Sequence, residues 1–155
     1  MPKIIRISVN PRGGVPKTRV AETFIATEGV QGDKQRDLKF HGGPERAVCL
    51  FSVERIRALQ DEGHPIDCGT AGENLTVSGL DWNDAVPGAR LFVGDEVELE
   101  ITSFTSPCSH IAASFADGEF TRISQKLHPG WSRVYARVLR EGTVREGDAA
   151  RLLAD

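Results

Sequence analysis

Along much of the chain, hydrophobic and polar positions alternate at the spacing of β-strands. Ile5, Ile7 and Val9 alternate with Arg6 and Ser8, predicting a half-buried strand that stops at Asn10-Pro11-Arg12-Gly13-Gly14. Thr18 to Ile25 is β-branched and extended in character. Arg46 to Phe51 reads as a continuous apolar strand covered on both faces. Arg90 to Val93, the turn Gly94-Asp95, and Val97, Leu99 and Ile101 alternating with Glu96, Glu98 and Glu100 predict a hairpin with its glutamates outward. Further strands are predicted over Val134 to Leu139, Thr143-Val144 and Ala149 to Leu153, joined at Glu141-Gly142 and Gly147-Asp148. Gly94-Asp95 and Gly147-Asp148 each precede a strand pattern, an echo of turn chemistry rather than a duplication.

Helical spacing is rarer. Ser52 is placed as an N-cap, with Val53, Ile56 and Leu59 on one face and Gly63 as the stop, so a helix is predicted from about Val53 to Glu62. A second helix is predicted to begin at Ser109, and a later amphipathic piece brings Phe120, Ile123 and Leu127 together. Many short strands with few helices predict a mainly β fold: a closed or nearly closed β-barrel with a few short helices, because closure removes exposed edges. The strand–helix–strand crossover of a doubly wound sheet does not recur, which makes an α/β fold the weaker reading.

The 155 residues correspond to one domain spanning 1–155. Apolar runs such as Ala47 to Phe51 are too short for a membrane-spanning helix. The start, Met1-Pro2-Lys3-Ile4-Ile5-Arg6, lacks an apolar signal core, so a cytoplasmic location is expected. Nineteen Lys and Arg against 22 Asp and Glu give a net charge of −3. That balance argues against nucleic acid as a partner and requires any anion site to be a local cluster. Cys49, Cys68 and Cys108 are odd in number, widely spaced and free of any C-x-x-C pair, the pattern of reduced thiols rather than a disulfide framework or structural zinc.

Three segments carry candidate chemistry. Lys34, Arg36, Lys39, His41 and Arg46 surround Gly42-Gly43 in an otherwise acidic chain. Adjacent glycines can turn backbone N–H groups toward an anion, and arginine adds bidentate contacts; a solvated charged loop is the equal alternative. In Gly69-Thr70-Ala71-Gly72-Glu73-Asn74-Leu75-Thr76, the side chains of Glu73, Asn74 and Thr76 offer donors and acceptors to a polar ligand. Residues of these types equally serve a turn and strand by bonding local backbone, and by residue type alone that reading is favoured about two to one. In Thr105-Ser106-Pro107-Cys108-Ser109-His110, Cys108 falls at the predicted helix start, where a thiolate is favoured. Cys49 fits an ordinary core cysteine, and Cys68 stays open. His64 reads as a surface residue, while Trp131 and Tyr135 read as core aromatics.

Taken in order, these segments resemble the MOSC domain, named for the C-terminal domain of molybdenum cofactor sulfurase, in its small single-domain bacterial type. The resemblance runs through Gly32-Asp33, His41-Gly42-Gly43-Pro44 with Ala47-Val48, Gly72-Glu73-Asn74-Leu75-Thr76, Gly79-Leu80, Gly94-Asp95 and Pro107-Cys108. It continues through Gly130-Trp131, Arg137-Val138, Glu141-Gly142 and Gly147-Asp148. Each motif alone is weak; the ordered set is specific.

This resemblance implies a barrel of the pyruvate-kinase-barrel-like kind and a molybdenum cofactor of the molybdopterin type. It implies that Cys108 ligates molybdenum or carries sulfur, as suits a soft thiolate. Lys34, Arg36, His41, Gly42, Gly43 and Arg46 would hold the cofactor's phosphate, and Glu73, Asn74 and Thr76 its pterin edge. Where the family often carries an arginine three residues before the cysteine and a lysine two after it, this chain has Thr105 and His110, which removes cationic support from the thiolate.

Two functions of different class follow. One is an oxidoreductase that reduces N-hydroxylated compounds with electrons from an external protein, since no cysteine set here could hold an iron–sulfur cluster. The other is a non-redox sulfur carrier or cofactor-binding module that uses a Cys108 persulfide. Pyridoxal phosphate binding is a weaker third, because no lysine stands out as a Schiff-base candidate. The expected partners are a small-molecule cofactor or substrate and an electron-transfer or sulfur-donor protein, with neither nucleic acid nor membrane.

Overall fold

The computed structural model describes residues 1–34 and 43–153. Among the described residues eleven strands form two sheets: β1 (Lys3–Val9), β2 (Thr18–Val20), β3 (Glu22–Ala26), β4 (Gly29–Val30), β5 (Val48–Ser52), β6 (Leu75–Ser78), β7 (Arg90–Val93), β8 (Val97–Phe104), β9 (Val134–Arg140), β10 (Gly142–Arg145) and β11 (Ala150–Leu153). The larger sheet runs β11-β7-β8-β9-β5-β6-β1-β2, and a smaller one runs β10-β3-β4. Among the described residues only β5 and β6 pair in parallel, joined through the helix α1 (Val53–Asp61). The fold is mainly β, as expected. Among the described residues the large sheet is not a continuously paired cylinder. It curls until β1 meets the start of β11 at one bridge, Lys3–Ala149, with Ile4 N–H donating to the Asp148 carbonyl at 2.8 Å.

Local chemistry explains the elements. Ser52 caps α1 by accepting from the Arg55 N–H at 3.2 Å, and Val53, Ile56 and Leu59 turn inward, as the periodicity predicts. The β7–β8 hairpin buries Val97, Leu99 and Ile101 in strict alternation. β1 departs from its predicted phase. A register shift between Ile4 and Arg6, where β1 pairs with β6, buries Ile4 and leaves Ile5 half-buried. The extended stretch from Thr18 divides at Ala21, with β2 joining the large sheet and β3 the small one.

The predicted second helix is a six-residue 3-10 helix over Ser109–Ser114. The later amphipathic piece shrinks to Phe120–Ile123, which buries Ile123 but leaves Leu127 59% exposed, because the tight helix ends before a turn can carry Leu127 inward. Trp131 anchors this irregular region to α1, with the Arg55 guanidinium 4.7 Å and the Arg122 guanidinium 4.1 Å from its ring centroid. Arg122 also pairs with Glu62 at 2.8 Å. His64, predicted to be a surface residue, is instead tucked in: its Nδ1 accepts from the Ala116 N–H and its ring packs on Phe115.

Candidate functional site

The loops after β1 and β4, the loop before β6, the strands β5 and β9, and the segment after β8 converge on one cleft. It encloses about 700 Å³ of non-atom space, part of it open to solvent. Cys108, Ser106 and His110 reach it from the segment after β8, Lys17, Asp33 and Lys34 from the early loops, and Cys49, Arg133 and Tyr135 from the strands and their margins. Gly72 also lines it, at φ +87°, and a Cβ there would sit 3.1 Å from Val15 Cγ1, so a bare backbone keeps this part of the cleft open.

A buried polar network organises the cleft. Asp33 accepts from Lys17 Nζ at 2.7 and 2.9 Å, from the Asn10 N–H at 2.8 Å and from Asn74 Nδ2 at 2.9 Å. The Lys17 and Asp33 side chains are only 9% and 5% exposed, so this ion pair is held inside the protein. Asn74 joins three strands: its Oδ1 accepts from the Cys49 N–H, its Nδ2 donates to the Ser8 carbonyl, and its own N–H donates to the Cys49 carbonyl at 2.7 Å. Asn74 therefore lines the cleft with both amide protons already committed.

The other predicted residues lie as follows. Lys34 lines the cleft. Arg46 stands 5.8 Å from the Tyr135 ring, while Gly43, at φ +90°, precedes the short turn that carries Arg46. Arg36, His41 and Gly42 lie outside the described residues. Glu73 and Thr76 are fully buried, and the Thr76 hydroxyl donates to Glu73 Oε2 at 3.1 Å instead of facing the cleft. Cys108 lines the cleft, half-buried, at the start of the Ser109–Ser114 helix, but its side chain caps nothing. That helix is too short to supply the dipole predicted to favour a thiolate, so the position of Cys108 rests on the cleft alone. Cys68 is half-buried in the loop after α1, and burial pushes its thiol above the ordinary range.

Sequence reasoning missed Arg133, Tyr135, Lys17 and the cleft-facing side of Cys49. Burial is the main cause raising the Cys49 thiol, with Arg133 partly opposing it, and Cys49 Sγ lies 3.9 Å from Thr105 Oγ1. Tyr135 is likewise pushed up by burial, so it stays a protonated phenol. Arg133 precedes β9, and its only sequence signal was a cation immediately before an apolar strand.

Glu73 yields a stability prediction. Burial raises its carboxyl above the usual range, against the opposing pull of the N–H groups of Gly69 and Glu73, of Thr76 and of Arg133. A carboxyl raised in the folded state contributes stability that is full below its unfolded value and is lost as pH rises through the folded value. Glu73→Gln is therefore expected to raise stability at neutral pH and to flatten the decline above the usual carboxylate range. Denaturant unfolding of both proteins across pH checks this; an unchanged pH slope refutes it.

A curled, mainly antiparallel sheet with a thiol, a buried guanidinium and a lysine around one cleft defines a mainly β domain with a concave candidate site. The MOSC domain pattern matches residues 37–151, and the chain belongs to the MOSC domain family. It is 34% identical over 132 residues to the uncharacterized protein YflK of Bacillus subtilis, covering 84% of this chain and 58% of that protein. Protein YiiM of Escherichia coli is 27% identical over 135 residues, covering 81% of this chain and 60% of that protein. This chain thus spans less than two-thirds of the length of either relative. A protein named "Reductase" from Gibberella moniliformis is 30% identical over 135 residues, covering 84% of this chain but 23% of its own length. The fold is shared with the crystal structures of YuaD from Bacillus subtilis (TM-score 0.76, 18% identity, 100% of this chain and 97% of that one) and YiiM from Geobacillus stearothermophilus (TM-score 0.74, 24% identity, 99% and 75%). No helix among the described residues is long and apolar enough to cross a membrane.

Proposed function

We propose that this MOSC protein binds a molybdenum cofactor of the molybdopterin type in the cleft, with Cys108 as the sulfur ligand to the metal, and reduces N-hydroxylated compounds with electrons from a separate protein. The observation that carries the reading is Cys108 in a cleft that Gly72 keeps free of a side chain and that Lys34 makes locally cationic. A soft sulfur beside a cation and a bare backbone fits a sulfur-bound metal on a phosphorylated pterin. The relative named a reductase supports a redox role. Among the described residues no three His, Cys, Asp or Glu side chains cluster, so the remaining metal donors would come from the cofactor.

When bound, such a group supplies a centre able to pass two electrons to an oxidised nitrogen. Cys108 would hold the metal, and Lys34 would lend its charge to the phosphate from the exposed rim of the cleft, with Arg36, His41 and Gly42 assigned to the same anion by family resemblance. Arg46, above Tyr135, and Gly43 would complete that phosphate site. Asn74 orients Asp33 and the Cys49 backbone, while Glu73 and Thr76 brace the loop beneath Gly72 instead of meeting the pterin directly.

The test is to purify wild type and Cys108→Ala from molybdenum-replete cells and to measure metal, pterin and intact mass. Metal and pterin present in wild type and lost in the variant support the reading. A one-sulfur mass adduct on wild type without metal supports the carrier alternative, in which Cys108 holds a persulfide. If neither appears and the two proteins behave alike, Cys108 has no such role.

A further inference from the structure

The cleft contains a buried cation with hydrogen-bonding capacity to spare. Arg133 is 6% exposed and lines the same cleft as Cys108. One terminal N–H donates to the Ala71 carbonyl at 2.7 Å, whereas Nε has no hydrogen-bond partner. Among the described residues no carboxylate comes within ion-pair distance of it. By contrast, Lys17 in the same cleft is answered by Asp33, and the half-buried Arg122 elsewhere in the fold by Glu62. Glu73 acts on Arg133 only through space, with neither a hydrogen bond nor an ion pair between them. A guanidinium presents its donors as a planar fork matched to two oxygens of one anion, and a buried charge without a partner is costly.

We propose that Arg133 is the anion anchor of the cleft, taking an oxyanion of the ligand, phosphate or carboxylate, through Nε and a terminal nitrogen. The inference rests on the cleft being the ligand site and adds the ligand's charged group and the residue that takes it. Lys34 is solvent-exposed and acts as a point charge at long range. Arg133, fixed by Ala71 and by its own carbonyl, which accepts from the Thr105 N–H at 2.9 Å, supplies direction. A ligand held this way has a charged end at Arg133 and a second end available to Cys108. The oxyanion has two sources, a cofactor phosphate or a substrate carboxylate.

The experiment titrates the full chain with inorganic phosphate and separately with acetate, at constant ionic strength, for wild type, Arg133→Met, Arg133→Lys and Lys34→Gln. Calorimetry gives the affinity, and circular dichroism with unfolding curves verifies the fold. Wild type is expected to bind an anion saturably, and Arg133→Met on the order of 10- to 100-fold more weakly, the loss of charge-assisted hydrogen bonds. Arg133→Lys is expected to keep only part of the affinity, and Lys34→Gln most of it. Preference for phosphate assigns the anchor to the cofactor, and preference for acetate assigns it to the substrate. Anion binding unchanged in folded Arg133→Met overturns the proposal, as does a wild type that binds neither anion. If Arg133→Met does not fold, Arg133→Lys decides, and wild-type affinity there overturns it. Anion binding that depends on Arg133 while Cys108→Ala retains metal leaves the anchor standing without the metal reading; the converse pair leaves the metal reading without the anchor.

Discussion

Asp33→Ala is expected to lower the unfolding free energy by about 3–5 kcal/mol, the usual cost of breaking one side of a buried ion pair. The variant strands the Lys17 ammonium where only 9% of its side chain meets water, and it unpairs Asn10 and Asn74 at the same time. The comparison is Asp33→Ala with Lys17→Met, which removes both charges. The double variant is expected to regain much of the loss, because a paired buried charge often contributes little net stability over an apolar pair. Denaturant unfolding of the two single variants and the double variant measures the coupling. Additive losses would show that Lys17 and Asp33 do not act as a pair. The network also places Cys49 and the cleft-lining loops, so anion and cofactor binding should fall along with stability in the single variants.

Phe51→Ala is expected to cost about 3–5 kcal/mol, as for other fully buried aromatics. Phe51 has no exposed surface, lies two residues from Cys49 on β5 and meets the Trp82 ring edge-on at 6.3 Å. Trp82 in turn donates from Nε1 to the Ser132 carbonyl at 2.8 Å, immediately before Arg133. The deletion should therefore loosen the start of β9 as well as the core. Phe51→Leu, which keeps most of the volume, is expected to cost about 1 kcal/mol. Equal losses for the two substitutions would show that packing volume at Phe51 is not what stabilises this layer.

The strands were legible where hydrophobic alternation and turn residues agreed. The β7–β8 hairpin, β5, and α1 with its Ser52 cap follow their patterns closely. Phase was lost wherever the sheet bends: nothing in Ile4-Ile5-Arg6 announces the register shift that turns Ile4 inward. Ser8, on the predicted polar face of β1, is fully buried because the loop at Gly69 lies over it. At φ +82°, a Cβ on Gly69 would sit 2.9 Å from Ser8 Oγ and 2.8 Å from the Lys17 carbonyl. Close backbone approach of that kind leaves only a glycine in the sequence.

At the site, Cys108 was legible as a thiol after a proline, and Lys34 and Asn74 as polar residues of the right segments. Arg133 was not, because its place on the cleft depends on meeting Ala71 across 62 residues of chain. The Asp33–Asn74 contact spans 41 residues and was equally hidden. Local pattern predicts which residues turn inward or outward along an element. It does not predict which distant elements share a cavity wall.

The near-closure of the large sheet sets where it can part. Elsewhere neighbouring strands are held by whole ladders, whereas β1 and β11 are joined at one bridge by the pairings Ile4 to Asp148, Gly147 to Ile4 and Ala150 to Pro2. Opening that seam sacrifices few hydrogen bonds and leaves the β5–β6 and β8–β9 ladders intact. The sheet therefore has a built-in weak meridian on the far side of β6 from β5, the strand that carries Cys49. An opening there leaves the cleft wall formed by β5 and β9 in register.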